Sequence, residues 1–104
     1  MVRGDVFLVA PDPTQGREIR KTRPCVVVSP DELNQHLATF IVAPLTTGSR
    51  PYPFRIPCRV AAKSWHVVLD QLRTVDRSRV GRRMALAPAT LATVLTVLQE
   101  MFAP

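Results

Sequence analysis

RPCVVVSPDELNQHLATFIVAPL, residues 23–45, is the stretch on which the architecture turns. It opens with a run of β-branched residues, Val26 to Val28, bounded by Pro24 near its start, and so reads as a strand over 23–29. Ser29-Pro30-Asp31-Glu32 then has the form of a helix start: Ser29 as N-cap, Pro30 at the first helical position, Glu32 closing a capping box. The helix is short and ends near His36. Residues 38–45, ATFIVAPL, return as another apolar strand. A strand, one turn or so of helix and a strand within two dozen residues is the grammar of a small, mainly β domain.

On the N-terminal side, residues 4–10, GDVFLVA, form a first strand, and the polar, Pro- and Gly-broken stretch 11–22 is a long connection. On the C-terminal side, 46–53 form a loop, short strands fall at 54–60 and 65–70, and basic residues crowd 71–83. The pattern changes at Pro88. Leu91, Val94, Leu95, Leu98 and Met101 or Phe102 recur at helical spacing, with Pro88 as the first helical residue. Several short strands, strong turn signals and one terminal helix describe a curled antiparallel barrel with a helix lying on it.

The bulk properties agree. The length of 104 residues fits a single domain spanning 1–104. Ten prolines disfavour a bundle of long helices. The net charge is +6 and all but two of the 14 basic residues are Arg, whose planar fork suits phosphate. Composition alone is equally compatible with an Arg-rich solvated surface. Cys25 and Cys58 form no CxxC pair, and His36 and His66 lie far from them, so no metal site is expected and both thiols read as buried. No activating neighbour marks either as a nucleophile. No apolar run reaches membrane-spanning length, and the N-terminus is too soon interrupted for a signal peptide, so a soluble cytoplasmic protein is expected.

Four blocks, in order and in register, carry a resemblance to a known family. DPTQGREIRKTRPCVVVSP (12–30) resembles its DPT-x-G-x-E…RP-x-VV-x-SP pattern. VAPLTTGSRPYPF (42–54) resembles its strand end and YPF segment, and LDQLRTVDRSRVGRR (69–83) its [DE]Q-x-R-[ST]-x-D signature. The apolar helix at the end stands where the family places its last one. The family is the MazF/PemK/Kid group of toxins from toxin–antitoxin systems.

The resemblance implies an SH3-like barrel with a C-terminal helix, the fold also of the CcdB gyrase poisons. It implies a sequence-specific endoribonuclease that cuts single-stranded RNA without metal or cofactor. The ribose 2′-OH attacks the adjacent phosphorus, leaving a 2′,3′-cyclic phosphate and a 5′-OH. By motif position the resemblance makes Arg23, Thr46 and Glu18 the catalytic candidates. Arg17, Arg20, Lys21, Asp70, Gln71 and Arg73 are the candidates for holding substrate. Asp70 matches an acidic position that one relative uses as a base. That relative has Arg two residues earlier, where this chain has Val68, so Asp70 is also open to a structural role. Tyr52 and Phe54 are aromatics near Thr46, with Phe54 expected in the core, and His66 is expected to be structural. The implied partners are RNA, a second copy of the chain in a homodimer, and a cognate antitoxin with a disordered acidic tail. A CcdB-like gyrase poison and an inactive binding barrel are the alternative readings.

Overall fold

The computed structural model describes residues 2–10 and 22–104; the connection at 11–21 lies outside the described residues. Seven strands and two helices follow in the order β1 (Val6–Val9), β2 (Arg23–Val27), α1 (Asp31–His36), β3 (Thr39–Thr46), β4 (Arg55–Val60), β5 (Lys63–Val68), β6 (Arg73–Asp76), β7 (Val80–Met84) and α2 (Pro88–Phe102). The strands join in the order β4-β5-β3-β2-β1-β7, with β6 pairing β3 off that path. All pairings are antiparallel. No pairing joins β4 to β7 among the described residues, so the barrel is curled but not hydrogen-bonded shut.

The longest strand organises the rest. One edge of β3 takes β2 over 42–44. The other edge is shared: β6 takes 39–42 and β5 takes 45–46. Pro44, which has no N–H to donate, stands in the gap between those two partners. Pro57 lies on β4, an edge strand, where a missing donor costs little.

Period-two alternation gives the sheet two apolar faces. Val6, Val26, Ala43, Leu45, Val67 and Ile56 fill one core, closed by Val94 of α2. Val9, Cys25, Val27, Phe40, Val42 and Val75 fill a second cluster on the other face. Because both faces of β2 are covered, its Val run shows no polar alternation. Val94 is fully buried, which stabilises the docked helix by about 1.5–3 kcal/mol. Gly4, at φ +96°, lies so close to α2 that a Cβ there would stand 2.6 Å from Leu91 Cδ2.

Several details differ from the sequence reading. Ser29 does not cap α1: the N-cap is Pro30, with no side-chain cap bond. The Ser29 hydroxyl is instead buried, donating to Asn34 Oδ1 at 2.5 Å and accepting from Ile41 N–H at 3.0 Å. This tie joins α1 to β3, and its buried geometry outcompetes the local cap. Residues 73–76 and 80–84 are strands within the basic stretch, where charge had masked any strand signal. Residues 69–71 form a 3₁₀ turn, so Asp70 follows β5 and is not part of it. Met101 and Phe102, in the last turn of α2, are exposed and take no part in the core.

Candidate functional site

The starts of β2 and β4 and the ends of β3 and β5 converge on one cleft. It has a volume of about 140 Å³ and is lined by Arg23, Pro44, Thr46, Gly48, Ser49, Arg55, Val68 and Gln71. The register explains the convergence. Cys25 faces Pro44 across β2–β3, so Arg23 and Thr46, each two residues further out, share that face. Thr46 faces His66 across β3–β5, and Val68 two residues on faces Arg55 across β4–β5. The loop 47–54 then carries Gly48 and Ser49 over the rim.

Of the residues singled out by sequence, Arg23, Thr46 and Gln71 line this cleft together. Arg23 is exposed, and none of the ion pairs among the described residues involves it. Its guanidinium is available to an anion. Arg73 lies on β6 opposite Val42 and is not in the lining. It belongs to the same face, because it stands opposite Val42, two residues before Pro44 on β3. Glu18, Arg17, Arg20 and Lys21 lie outside the described residues.

Arg55 was not anticipated from sequence, and it has the most contacts of the group. Its Nε and Nη2 donate to the two oxygens of Asp70 at 3.2 and 3.1 Å, a two-point ion pair. Its Nη1 donates to Ser49 Oγ at 3.0 Å. The guanidinium also stands 5.1 Å from the Tyr52 ring centroid and 6.0 Å from that of Phe54. Phe54 is accordingly not a core residue: it is half-buried and stacks on Tyr52, with centroids 5.2 Å apart and planes 14° from parallel. The hydrogen bonds from Arg55 hold the Asp70 carboxyl below the usual carboxylate range, and the pair in turn raises Arg55. The two-point pair braces the Arg55 guanidinium against Asp70.

Cys25 is buried beneath the cleft floor. Burial pushes its thiol up to about 11, with the positive charges of Arg73 and Arg23 only partly opposing the shift. Such a thiol is neutral at pH 7 and inert as a nucleophile. Cys58 is likewise buried and raised by desolvation. The sequence-based expectation of two buried free thiols agrees with both. His66 is half-buried, and its Nδ1 has no hydrogen-bond partner among the described residues. Among those residues no group of three His, Cys, Asp or Glu side chains could hold a metal ion.

The cleft therefore presents two guanidinium groups, hydroxyls from Thr46 and Ser49, and an amide from Gln71. That set has the chemistry to hold an anion: the guanidinium of Arg23, unpaired among the described residues, for its charge, with hydroxyl and amide groups around it.

Comparison with known proteins gives a consistent picture. The family model described as "PemK-like, MazF-like toxin of type II toxin-antitoxin system" matches residues 2–102. The chain is similar to the endoribonuclease PemK of Escherichia coli, 36% identical over 110 residues, covering 92% of this chain and 83% of that protein. Its fold superposes with a TM-score of 0.80 on MazF in a MazE–MazF structure from Deinococcus radiodurans, at 30% identity, covering 97% of this chain and 94% of the other. It superposes at 0.78 on a mycobacterial endoribonuclease solved in complex with its cognate antitoxin, at 23% identity, covering 100% and 99% of the two chains.

Proposed function

The chain belongs to the PemK-like, MazF-like toxins of type II toxin–antitoxin systems, and from that membership we propose that it is an endoribonuclease whose cleft holds the scissile phosphate of single-stranded RNA. The observation that carries the reading is the convergence of Arg23, Arg55 and Thr46 on one polar cleft.

The chemistry follows from these groups. The RNA supplies its own nucleophile, so the protein needs none. The 2′-oxygen forms a bond to phosphorus, the bond from phosphorus to the 5′-oxygen breaks, and a 2′,3′-cyclic phosphate and a 5′-hydroxyl result. One proton leaves the 2′-OH and one reaches the departing 5′-oxygen. Charge grows on the non-bridging oxygens as phosphorus becomes five-coordinate. Arg23 and Arg55 neutralise it, which is the work a metal ion would otherwise do, and Thr46 donates a hydrogen bond. Each such contact is worth about 3 kcal/mol in the transition state, or roughly a hundredfold in rate. Glu18 is our candidate for accepting the 2′-OH proton. Gln71 and Arg73 are our candidates for contacts to the RNA, and Arg17, Arg20 and Lys21, outside the described residues, for further electrostatic attraction of the strand.

The partners follow the family. A net charge of +6 suits a disordered acidic antitoxin tail that lies over the RNA groove, and the active form is a homodimer. No helix among the described residues is long and apolar enough to cross a membrane. Action in the cytoplasm is proposed from the family membership.

The test is incubation of the purified protein with a long single-stranded RNA in EDTA. Discrete fragments carrying 2′,3′-cyclic phosphates are expected. A 2′-deoxy nucleotide at the cut site should abolish scission there; persistence of cutting would overturn the mechanism. Intact RNA together with inhibited gyrase would favour the CcdB-like reading instead.

A further inference from the structure

A phosphate in the cleft, as proposed above, leaves open what receives the base beside it. The aromatic cluster at its rim bears on that question. Tyr52, Phe54 and Arg55 form a triangle with sides of 5.2, 5.1 and 6.0 Å. A guanidinium on the far face of Tyr52 would be separated from Phe54 by the whole stack, well beyond 6.0 Å. Phe54 and Arg55 therefore do not sandwich the Tyr52 ring between them, and ring surface that neither covers remains exposed. Tyr52 is 40% exposed, the only large aromatic among the described residues outside α2 to be so.

The ring is also held in place. Pro51 and Pro53 flank it and restrict the backbone on both sides. Tyr52 N–H donates to Arg50 O at 2.8 Å, and Arg55 N–H donates to Tyr52 O at 3.0 Å, which closes the turn. A ring fixed before binding loses little entropy when a ligand stacks on it.

We propose that the exposed surface of the Tyr52 ring is a stacking subsite for an unpaired RNA base next to the phosphate in the cleft, a reading that rests on RNA being the ligand there. Arg55 links the two halves: it lines the phosphate cleft and packs against the aromatic stack. Stacking on an aromatic face tolerates any base, so the subsite fixes the register and affinity of the strand and leaves base identity to other groups. It requires an unstacked base, which disfavours duplex RNA.

The test uses a short, fluorescently labelled, mixed-sequence 2′-O-methyl RNA, which has no free 2′-OH and cannot be cut. Tyr52→Phe should bind it within about twofold of the parent chain, because the ring and not the hydroxyl is needed. Tyr52→Ala and Tyr52→Leu should each bind roughly tenfold more weakly. Leu keeps apolar cover over Phe54, so its loss of affinity reports the lost π-face and not a collapsed loop. Abasic sites walked along the RNA should find one position that weakens the parent chain and leaves Tyr52→Leu unaffected. Equal affinities for the parent and Tyr52→Leu, or no such position, would overturn the subsite alone. Failure of the parent chain to bind RNA at all would overturn the subsite and the phosphate cleft together.

Discussion

Arg55 and Val68 face one another across β4–β5, and it is Arg55, from the neighbouring strand, that brings a guanidinium to Asp70. In the sequence, Val68 marks a departure, since a relative with a basic Asp carries Arg at that position. In three dimensions a guanidinium reaches the same carboxylate from one strand over. The two residues of the pair are 15 apart in the chain, and only the register of the β-hairpin makes them neighbours.

This relationship predicts an asymmetry between the two partners. Arg55→Ala should slow cleavage about a hundredfold in single-turnover assays, since it removes a guanidinium from the cleft lining. Asp70→Asn should cost less, because it removes the brace and leaves the cation. An Asp70→Asn variant as dead as Arg55→Ala would mean that Asp70 handles the proton itself. The stability effect has a definite sign. The folded-state carboxyl is held below its ordinary value, so its contribution is present above the ordinary carboxylate pKa and is lost as pH falls through the depressed one. The difference in Tm between the parent chain and Asp70→Asn should therefore be seen at neutral pH and shrink in acid.

Arg23 tests the site from its other wall. Arg23→Ala should lower the cleavage rate about a hundredfold or more with the Tm unchanged, because Arg23 is exposed and has no ion-pair partner among the described residues to lose. Arg23→Lys should recover only part of the rate, since a point charge cannot span two phosphate oxygens. Thr46→Ala should fall between the parent and Arg23→Ala. An Arg23→Ala variant that cuts at the parental rate would remove Arg23 from the mechanism.

How much of this was legible beforehand depended on where the information lay. The strands at 23–27 and 39–46, the short helix between them and Pro88 opening α2 rest on local signals, namely Val runs, proline placement and helical spacing. Arg23, Thr46 and Gln71 could be named because each sits inside a block with a recognisable pattern. Arg55 has no such mark: it is one Arg among 12, and its meaning comes from the pairing register. β6 and β7 were hidden for a different reason. Only Val75 is buried in β6 and no residue is fully buried in β7, so neither carries the apolar alternation that announces a strand. The capping-box reading of Ser29 failed because a buried side chain, Asn34, competes for the hydroxyl, and burial is not visible in a four-residue motif.

The thiol beneath the cleft gives a chemical prediction. With Cys25 raised to about 11 and both cysteines buried, the native protein should resist alkylation at pH 7 and should label at both positions once unfolded. Cys25→Ala should retain cleavage, which excludes a thiol nucleophile. The raised value also makes folding pH-dependent at the alkaline end. An unfolded thiol ionises near 9.0 while the folded one keeps its proton, so stability should decline between there and about 11. A Cys25→Ala chain should show a shallower decline. Rapid labelling of the native protein at neutral pH would contradict the burial of both side chains.

The β4–β5 turn offers a gain of stability. Ala61 and Ala62 have φ of +52° and +62°, the left-handed pair required by a two-residue hairpin loop between Val60 and Lys63. Alanine pays a steric penalty there, because its Cβ crowds the following carbonyl; Gly has no Cβ, and the short polar side chain of Asn offsets the cost by local hydrogen bonding. Replacing the pair by Asn-Gly should stabilise the fold by about 1 kcal/mol. A domain of this size would then melt roughly 4–8 °C higher. The turn lies at the far end of the hairpin from Arg55 and Val68, so cleavage rates should be unchanged. A lower Tm in the Asn-Gly variant would show that the loop does not adopt the left-handed pair in solution.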